Sequence, residues 1–152
     1  MKTIEEEIKQ KKFPNIYVKT DVNFLFTSGW LQNDMARFFK PFGISMQQFN
    51  VLRILRGQHP KPVMLNQITE RMIDKMSNAT RLVEKLKQKG LVTREINTKS
   101  RRQVDIHITE NGLALLEKID KIMNDQTPPA RYLNVTAEEL IILNKILDKL
   151  RN

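Results

Sequence analysis

The stretch from Ser77 to Thr109, SNATRLVEKLKQKGLVTREINTKSRRQVDIHIT, decides how the rest of the chain is interpreted. Its first part has the period of an amphipathic helix and reaches Gly90, a residue suited to the left-handed turn that often closes a helix. Its second part alternates apolar and polar residues on both sides of a short basic loop, which predicts a two-stranded hairpin. The sequence therefore predicts a helix followed at once by a basic hairpin.

The predicted helix has two distinct faces. Its apolar residues recur at i, i+3, i+4 and i+7 and are expected to face the core: Ala79, Leu82, Val83 and Leu86. Short polar side chains let a helix approach the major groove of DNA, and arginine reaches guanine edges. The candidates for base contacts on the opposite face are therefore Ser77, Asn78, Thr80 and Arg81. An ordinary solvent-exposed helix face is the alternative interpretation.

The positive charge of the chain is concentrated in this region. The formal net charge is +9, and residues 75–102 hold nine basic side chains against two acidic ones. Most charged stretches mix both signs, so this bias favours a polyanionic partner. The cations expected to contact phosphates or to lie on the hairpin tip are Lys75, Lys85, Lys87, Lys89, Lys99, Arg101 and Arg102. Arg101 or Arg102 could enter a minor groove, where narrow A·T tracts deepen the negative potential.

Helices are predicted before this stretch. Thr3 and Glu6 form a capping box for a short helix that Pro14 ends, and NIYVK is expected to be extended. Asp21 then caps a long helix running to about Lys40, with large apolar residues on more than one face. Ser45 caps the next helix, which Gly57 closes. After a polar connector, LNQITERM forms a compact helix, and Asp74 is expected to cap the helix that follows.

The C-terminal part is also predicted to be helical. Val92, Val104, Ile106 and Ile108 give the hairpin a core-facing side, and Thr109 caps the helix after it. Thr136 and Glu139 form a capping box for a last helix. Leucines 140, 143, 147 and 150 form an apolar seam on that helix, which predicts packing against a partner helix. The terminal helices are thus interpreted as dimerisation elements.

Composition excludes several classes of protein. The 152 residues contain no cysteine, so disulfide scaffolds and cysteine-ligated zinc sites are excluded. No segment has the length and hydrophobicity of a signal peptide or a membrane span, which predicts a cytoplasmic protein without membrane contact. Motifs of nucleophilic and nucleotide-binding enzymes are missing, so we expect no enzyme and no cofactor. Asp105 and His107 share a strand face, but a solvated position is favoured over a metal site.

These residues together resemble the MarR family of bacterial transcriptional regulators. The resemblance rests on Arg81-Leu82-Val83-x-x-Leu86-x-x-Lys89-Gly90-Leu91-Val92-x-Arg94, on Arg101-Arg102, and on Ile108-Thr109-x-x-Gly112. It implies a mainly α (α+β) fold: a winged helix-turn-helix in residues 43–108, with dimerisation helices in residues 1–42 and 109–152 of one compact chain. It also implies a homodimer on a pseudo-palindromic operator. Family members commonly carry aspartates in the wing, where this chain has Asn97 and Ser100.

Two functions remain open at this point. One is a DNA-binding transcriptional regulator, expected to be a repressor, whose dimer contacts half-sites about 34 Å apart. The other is a winged-helix adaptor that binds proteins. Since family members respond to small molecules, four aromatic residues are candidates for an effector pocket, with core packing as the alternative: Phe24, Trp30, Phe38 and Phe49.

Overall fold

The structure is a computed structural model that describes residues 2–97, 103–124 and 129–152. The helices are α1 Ile4–Glu7, α2 Ile16–Phe39, α3 Met46–Arg56, α4 Leu65–Arg71, α5 Ala79–Gln88, α6 Glu110–Met123 and α7 Ala137–Leu150, and the strands are β1 Val63–Met64, β2 Val92–Ile96 and β3 Val104–Ile108. Short 3-10 turns cover Lys40–Phe42 and Ala130–Tyr132. Internal contacts divide the chain into two compact units, Met1–Leu116 and Glu117–Asn152. The predicted fold, mainly helical with a small sheet, is confirmed.

Most helix starts follow their predicted caps. The Thr3–Glu6 and Thr136–Glu139 capping boxes are both present, and Ser45 caps α3 in a box with Gln48. Thr109 accepts a hydrogen bond from the Gly112 amide at 3.1 Å, as expected of the cap of α6. These interactions join residues three apart, so the sequence alone was sufficient to locate them.

Three predictions about helix ends were wrong. α1 ends at Glu7, well before Pro14, and NIYVK is helical from its second residue, because α2 begins at Ile16. The cap of α2 is Asn15, whose Oδ1 accepts from the Val18 amide at 3.0 Å, and Asp21 lies inside the helix. An asparagine cap followed by a long helix outweighs the weak helix propensity of Ile16 and Val18.

The cap of α5 was also misplaced. Asn78 caps this helix, with Oδ1 accepting from the Arg81 amide at 3.0 Å. The carboxylate of Asp74 instead accepts from the Met76 amide at 3.0 Å and from the Ser77 hydroxyl at 2.8 Å. Asp74 therefore stabilises the turn that leads into α5, since aspartate binds nearby backbone amides in turns as readily as at caps.

The sheet has one strand more than the sequence predicted. Its order is β1-β3-β2, all antiparallel, with Val63 opposite Ile106 and Val92 opposite Ile108. β1 has only two residues, too few to show an alternating pattern, and the buried Val63 becomes significant only once β3 lies beside it. The sheet, α3, α4 and α5 enclose the core of the first unit, which includes Leu52, Leu55, Ile68, Leu86 and Ile106.

Gly112 lies where α6 meets the end of the hairpin. A Cβ atom there would lie 2.7 Å from Ile108 Cγ1 and even nearer to the Leu91 carbonyl oxygen. At Gly29 in α2, no heavy atom outside the nearby helix backbone lies within 4 Å of the place that a Cβ atom would take. The two glycines therefore differ in the space available to a methyl group, although both lie in helices.

Gly112→Ala is expected to lower the free energy of unfolding by about 1–3 kcal/mol, because the backbone near Leu91 must move to admit the methyl group. Gly29→Ala should leave it unchanged or raise it by up to about 1 kcal/mol, since alanine favours the helix. Urea unfolding followed by circular dichroism measures both values. Equal stability of the two variants would contradict the close approach at Gly112.

Candidate nucleic-acid interface

The orientation of α5 is set by its apolar face. Ala79, Val83 and Leu86 are buried as the sequence predicted, with Leu86 fully enclosed. Leu82, predicted to face the core with them, is only half-buried, because it lies at the edge of the apolar face. Gly90 closes the segment at φ +69°, a conformation that costs glycine little because it has no Cβ atom. Since the inner face is fixed in the core, the opposite face of α5 must meet solvent or a partner.

An open hollow lies in front of that outer face. It has a volume of about 310 Å³ and is lined by Gln47, Ser77, Asn78, Arg81, Leu82 and Lys85. Three of the four candidates for base contacts thus border one space, together with a predicted phosphate-binding lysine. Gln47 was not predicted, because it belongs to α3 and the sequence does not show how closely that helix approaches α5.

Ser77 and Asn78 also serve the local structure. The Ser77 hydroxyl donates to Asp74, and Asn78 Oδ1 caps α5. These bonds use the hydroxyl hydrogen of Ser77 and the amide oxygen of Asn78. They leave the Ser77 oxygen as an acceptor, and the Asn78 amide nitrogen, which is not used by the cap, as a donor. Both side chains are held in place while keeping hydrogen-bonding capacity toward the hollow.

Thr80 is separated from the other candidates. It borders a small cavity of about 10 Å³ on the sheet side of α5, with Val83, Arg94 and Ile106 among the other lining residues. Thr80 remains exposed to solvent. The structure therefore brings Ser77, Asn78 and Arg81 together and places Thr80 toward the hairpin.

The cations of this region have different surroundings. Lys85 and Lys87 are exposed on α5, whereas the ammonium group of Lys75 donates to the Glu70 carbonyl oxygen. Arg94 of β2 forms an ion pair with Glu84 of α5 at 3.7 Å, with both side chains partly exposed. Glu84 is one of the two acidic residues in the basic segment. Its pairing with Arg94 lessens the repulsion between the Glu84 carboxylate and a polyanion.

Lys89 at the end of α5 connects two parts of the fold. Its Nζ atom donates to the Gly43 carbonyl oxygen and to Gln48 Oε1, the latter at 3.4 Å. Gln48 is buried, and the same Oε1 accepts from the Ser45 amide at 3.0 Å. These contacts favour a structural role for Lys89, which links the end of α5 to the start of α3, over the phosphate role that its charge suggested.

The two strands of the hairpin are described as far as Asn97 and from Gln103 onward. Predicted wing cations Lys99, Arg101 and Arg102 lie outside the described residues. The backbone amide of Asn97 donates to the Gln103 carbonyl oxygen at 3.0 Å, so strand pairing continues to this point. Asn97 Nδ2 lies 3.0 and 2.9 Å from the two carboxylate oxygens of Asp105. Within the described residues, no group of three or more potential metal ligands is present.

This chain is similar to known members of one family. A family model described as "MarR family" matches residues 44–104. The HTH-type transcriptional repressor MdtR of Bacillus subtilis is 32% identical over 121 residues, covering 79% of this chain and 76% of MdtR. The chain belongs to the MarR family. MarR itself, the multiple antibiotic resistance protein of Escherichia coli, is 28% identical over 116 residues, or 76% of this chain and 78% of MarR.

Solved MarR-family structures show the same fold. A MarR transcription factor from Planctomyces limnophilus has a TM-score of 0.68 at 28% identity and covers 90% of this chain and 98% of its own. The MepR–DNA complex of S. aureus has a TM-score of 0.73 at 19% identity and covers 91% of this chain and 97% of its own. The prediction of a MarR-family winged-helix protein is therefore confirmed.

Membership of the MarR family settles the broad function. Relatives including MdtR are named as HTH-type transcriptional repressors or regulators, which confirms a DNA-binding transcriptional regulator and not an enzyme. The protein-binding adaptor, left open by the sequence, loses its support, because the exposed face of α5 presents polar and cationic groups. No helix in the described part of the chain is long and apolar enough to cross a membrane.

The four aromatic candidates for an effector pocket have unequal environments. Phe49 is buried and packs against Phe39 with ring centroids 4.7 Å apart. Phe38 lies edge-on to Phe39 at 5.0 Å and near Phe42 at 5.7 Å. Trp30 is 46% exposed, and Phe24 is half-buried. Core packing thus accounts for Phe49, and Phe38 is half-buried against Phe39 and Phe42, whereas Trp30 remains accessible to a partner or ligand.

The contrast between Lys85 and Lys89 gives a direct test of their roles. Lys85→Met should weaken DNA binding and lower the slope of log K against log salt by about 1 for each phosphate that is no longer bound. Lys89→Met should weaken binding at every salt concentration with the slope unchanged, because its ammonium group is bound to Gly43 and Gln48 of the protein itself. Fluorescence anisotropy with a labelled duplex at several salt concentrations measures both quantities. An equal reduction of the slope in the two variants would contradict the structural role of Lys89.

Proposed function

We propose that this MarR-family protein is a sequence-specific repressor that acts as a homodimer on a pseudo-palindromic operator. The observation that carries the proposal is the outer face of α5, where Ser77, Asn78 and Arg81 border one open hollow beside Lys85. A helix held by its apolar face with such a polar outer face suits the major groove. Several relatives are named as repressors, including MdtR of Bacillus subtilis and IacR of Pseudomonas putida.

The proposed contacts fall into two groups. Ser77, Asn78, Thr80 and Arg81 contact base edges, with Thr80 set toward the hairpin side of the groove. Lys75, Lys85 and Lys87, with the wing residues Lys99, Arg101 and Arg102, contact phosphates or the minor groove. Phosphate contacts fix the orientation of a protein on the duplex, and base contacts supply its sequence preference. Arg81 is the central candidate because its guanidinium group can bind guanine through two hydrogen bonds.

Exposed apolar helices support the homodimer. No residue of α7 is buried in the chain, and Ile142, Leu143 and Leu150 are 57%, 43% and 61% exposed. In α2 only Phe39 is buried, and Leu25 is 75% exposed. Large apolar side chains exposed along a helix often mark an interface. We therefore assign dimerisation to residues 1–42 and 109–152, and DNA binding to residues 43–108.

A small-molecule effector that releases the DNA is part of the proposal. Among the solved relatives, BpsR of Bordetella bronchiseptica is described as regulated in its DNA binding by 6-hydroxynicotinic acid, and an organohalide-sensing regulator was solved in a 2,4-dichlorophenol bound form. In this chain the exposed Trp30 and half-buried Phe24 are the accessible aromatic candidates on α2. An aromatic or other planar molecule matches such a surface.

A mobility-shift titration against genomic fragments, repeated at several salt concentrations, tests the central proposal. One class of fragments should bind at least about a thousandfold more tightly than random duplex, and affinity should fall steeply as salt rises. The decrease with salt is expected because cation–phosphate contacts release counterions. Equal affinity for all fragments, or affinity independent of salt, would contradict sequence-specific binding.

Arg81→Ala should reduce discrimination between the preferred fragment and random duplex by about 1–3 kcal/mol, since the variant cannot form the base contact. Lys85→Ala is the matched control on the same hollow and should weaken binding to both duplexes equally. Competition titrations with the two duplexes measure the difference. A uniform decrease for Arg81→Ala would assign this residue to phosphate contact only.

Deletion of residues 136–152 should convert the dimer to a monomer, because it removes the exposed apolar surface of α7. Leu143→Glu combined with Leu150→Glu should do the same while keeping the helix, and Lys145→Glu combined with Lys149→Glu is the control that leaves the apolar residues intact. Sedimentation velocity measures the oligomeric state. A truncated protein that still sediments as a dimer would contradict the assignment of α7.

A further inference from the structure

The base of the wing contains a link between two side chains on neighbouring strands. Asn97 directly follows β2, and its amide nitrogen donates to both carboxylate oxygens of Asp105 in β3. Asn97 is paired with Gln103 through the backbone, so Asp105 is its diagonal neighbour on the same face of the hairpin. Diagonal neighbours in an antiparallel pair are close enough for such side chains to interact.

The position of Asp105 in the sheet explains why this link matters. β3 is the central strand, and Asp105 lies opposite Glu95 of β2 and Met64 of β1. Directly opposed like charges destabilise strand pairing, and Met64 offers no charge to offset them. Asp105 is also partly buried, which raises the cost of an unsatisfied carboxylate. The two hydrogen bonds from Asn97 are therefore placed where the pairing of β2 with β3 is electrostatically weakest.

We propose that Asn97 is a positioning residue for the wing, which acts by binding Asp105 and thereby holding the ends of β2 and β3 together. This inference rests on the proposed function, because its consequence for the cell is operator binding. The segment that carries Lys99, Arg101 and Arg102 begins one residue after Asn97. The Asn97–Asp105 link therefore lies at the last described position before that segment.

A neutral amide is essential to this role. The family resemblance would place aspartate at position 97, yet an aspartate there would bring a third carboxylate to the face that already holds Glu95 and Asp105. It would also lack the N–H groups that Asp105 accepts from. Asparagine at 97 and aspartate at 105 are therefore a matched pair, and changing one is expected to alter the requirement at the other.

The experiment compares variants that separate the link from net charge. Asn97→Asp should lower operator affinity about tenfold, because a charged hydrogen-bonded pair becomes a repulsive one. Asn97→Ala keeps the charge and should bind about threefold more weakly. Asn97→Asp combined with Asp105→Asn rebuilds the pair in reverse and should return to within about threefold of the unsubstituted protein. Gln88→Glu is the charge control, since it makes the same amide-to-carboxylate change at an exposed position of α5, and it should bind within about threefold of the unsubstituted protein.

Amide hydrogen exchange supplies a second measurement that needs no DNA. The backbone amide of residue 97 is hydrogen-bonded to the Gln103 carbonyl oxygen. It should exchange faster in Asn97→Asp and Asn97→Ala, and it should recover its protection in the reversed pair. If the unsubstituted protein shows no operator preference, the proposed function fails, and exchange alone decides whether the link exists. Unchanged affinity and exchange in Asn97→Asp, or a reversed pair no better than Asn97→Asp, would overturn the inference.

Discussion

The burial of one face of α5 is the interaction on which the rest of the described DNA-binding region depends. Val83 and Leu86 are enclosed by the core that α3, α4 and the sheet provide, and each large apolar side chain buried contributes about 1.5–3 kcal/mol. Because a helix cannot rotate without exposing those side chains, Arg81 and Lys85 are kept on the outer face. The same apolar contacts that stabilise the fold therefore decide which polar groups are available to DNA.

Hydrogen bonds around α5 complete this arrangement by fixing its two ends. At the start, Asn78 caps the helix and Asp74 holds Ser77, so side chains suited to base contacts are ordered before any DNA arrives. At the end, Lys89 binds Gly43 and Gln48 near the start of α3. Preorganised contact groups lose less entropy on binding. A charged residue in a basic segment can thus support recognition by binding groups of the protein itself.

Charge acts differently at the wing base. There Asp105 lies opposite Glu95 on the neighbouring strand, and the side-chain amide of Asn97 donates hydrogen bonds to the carboxylate of Asp105. Arg94 and Glu84 provide a further cross-link between β2 and α5. Helix and hairpin are consequently joined by side chains as well as by the chain itself, which suits their proposed contact with adjacent grooves of one duplex. The exposed apolar residues of α2 and of α7, in contrast, are not covered by other described residues of the chain, and they match the proposed second subunit.

The sequence by itself determined the features that depend on nearby residues or on period. The capping boxes of α1 and α7, the buried stripe of α5 and the turn at Gly90 all arise within a few residues, so composition and spacing were sufficient. Tertiary structure alone decided the contacts between distant segments. Lys89 meets Gly43 across 46 positions, Gln47 enters the hollow from another helix, and β1 forms only because β3 lies beside it. Such contacts depend on how the helices and strands pack, and a linear pattern of residues carries no distance between elements that are far apart in the chain.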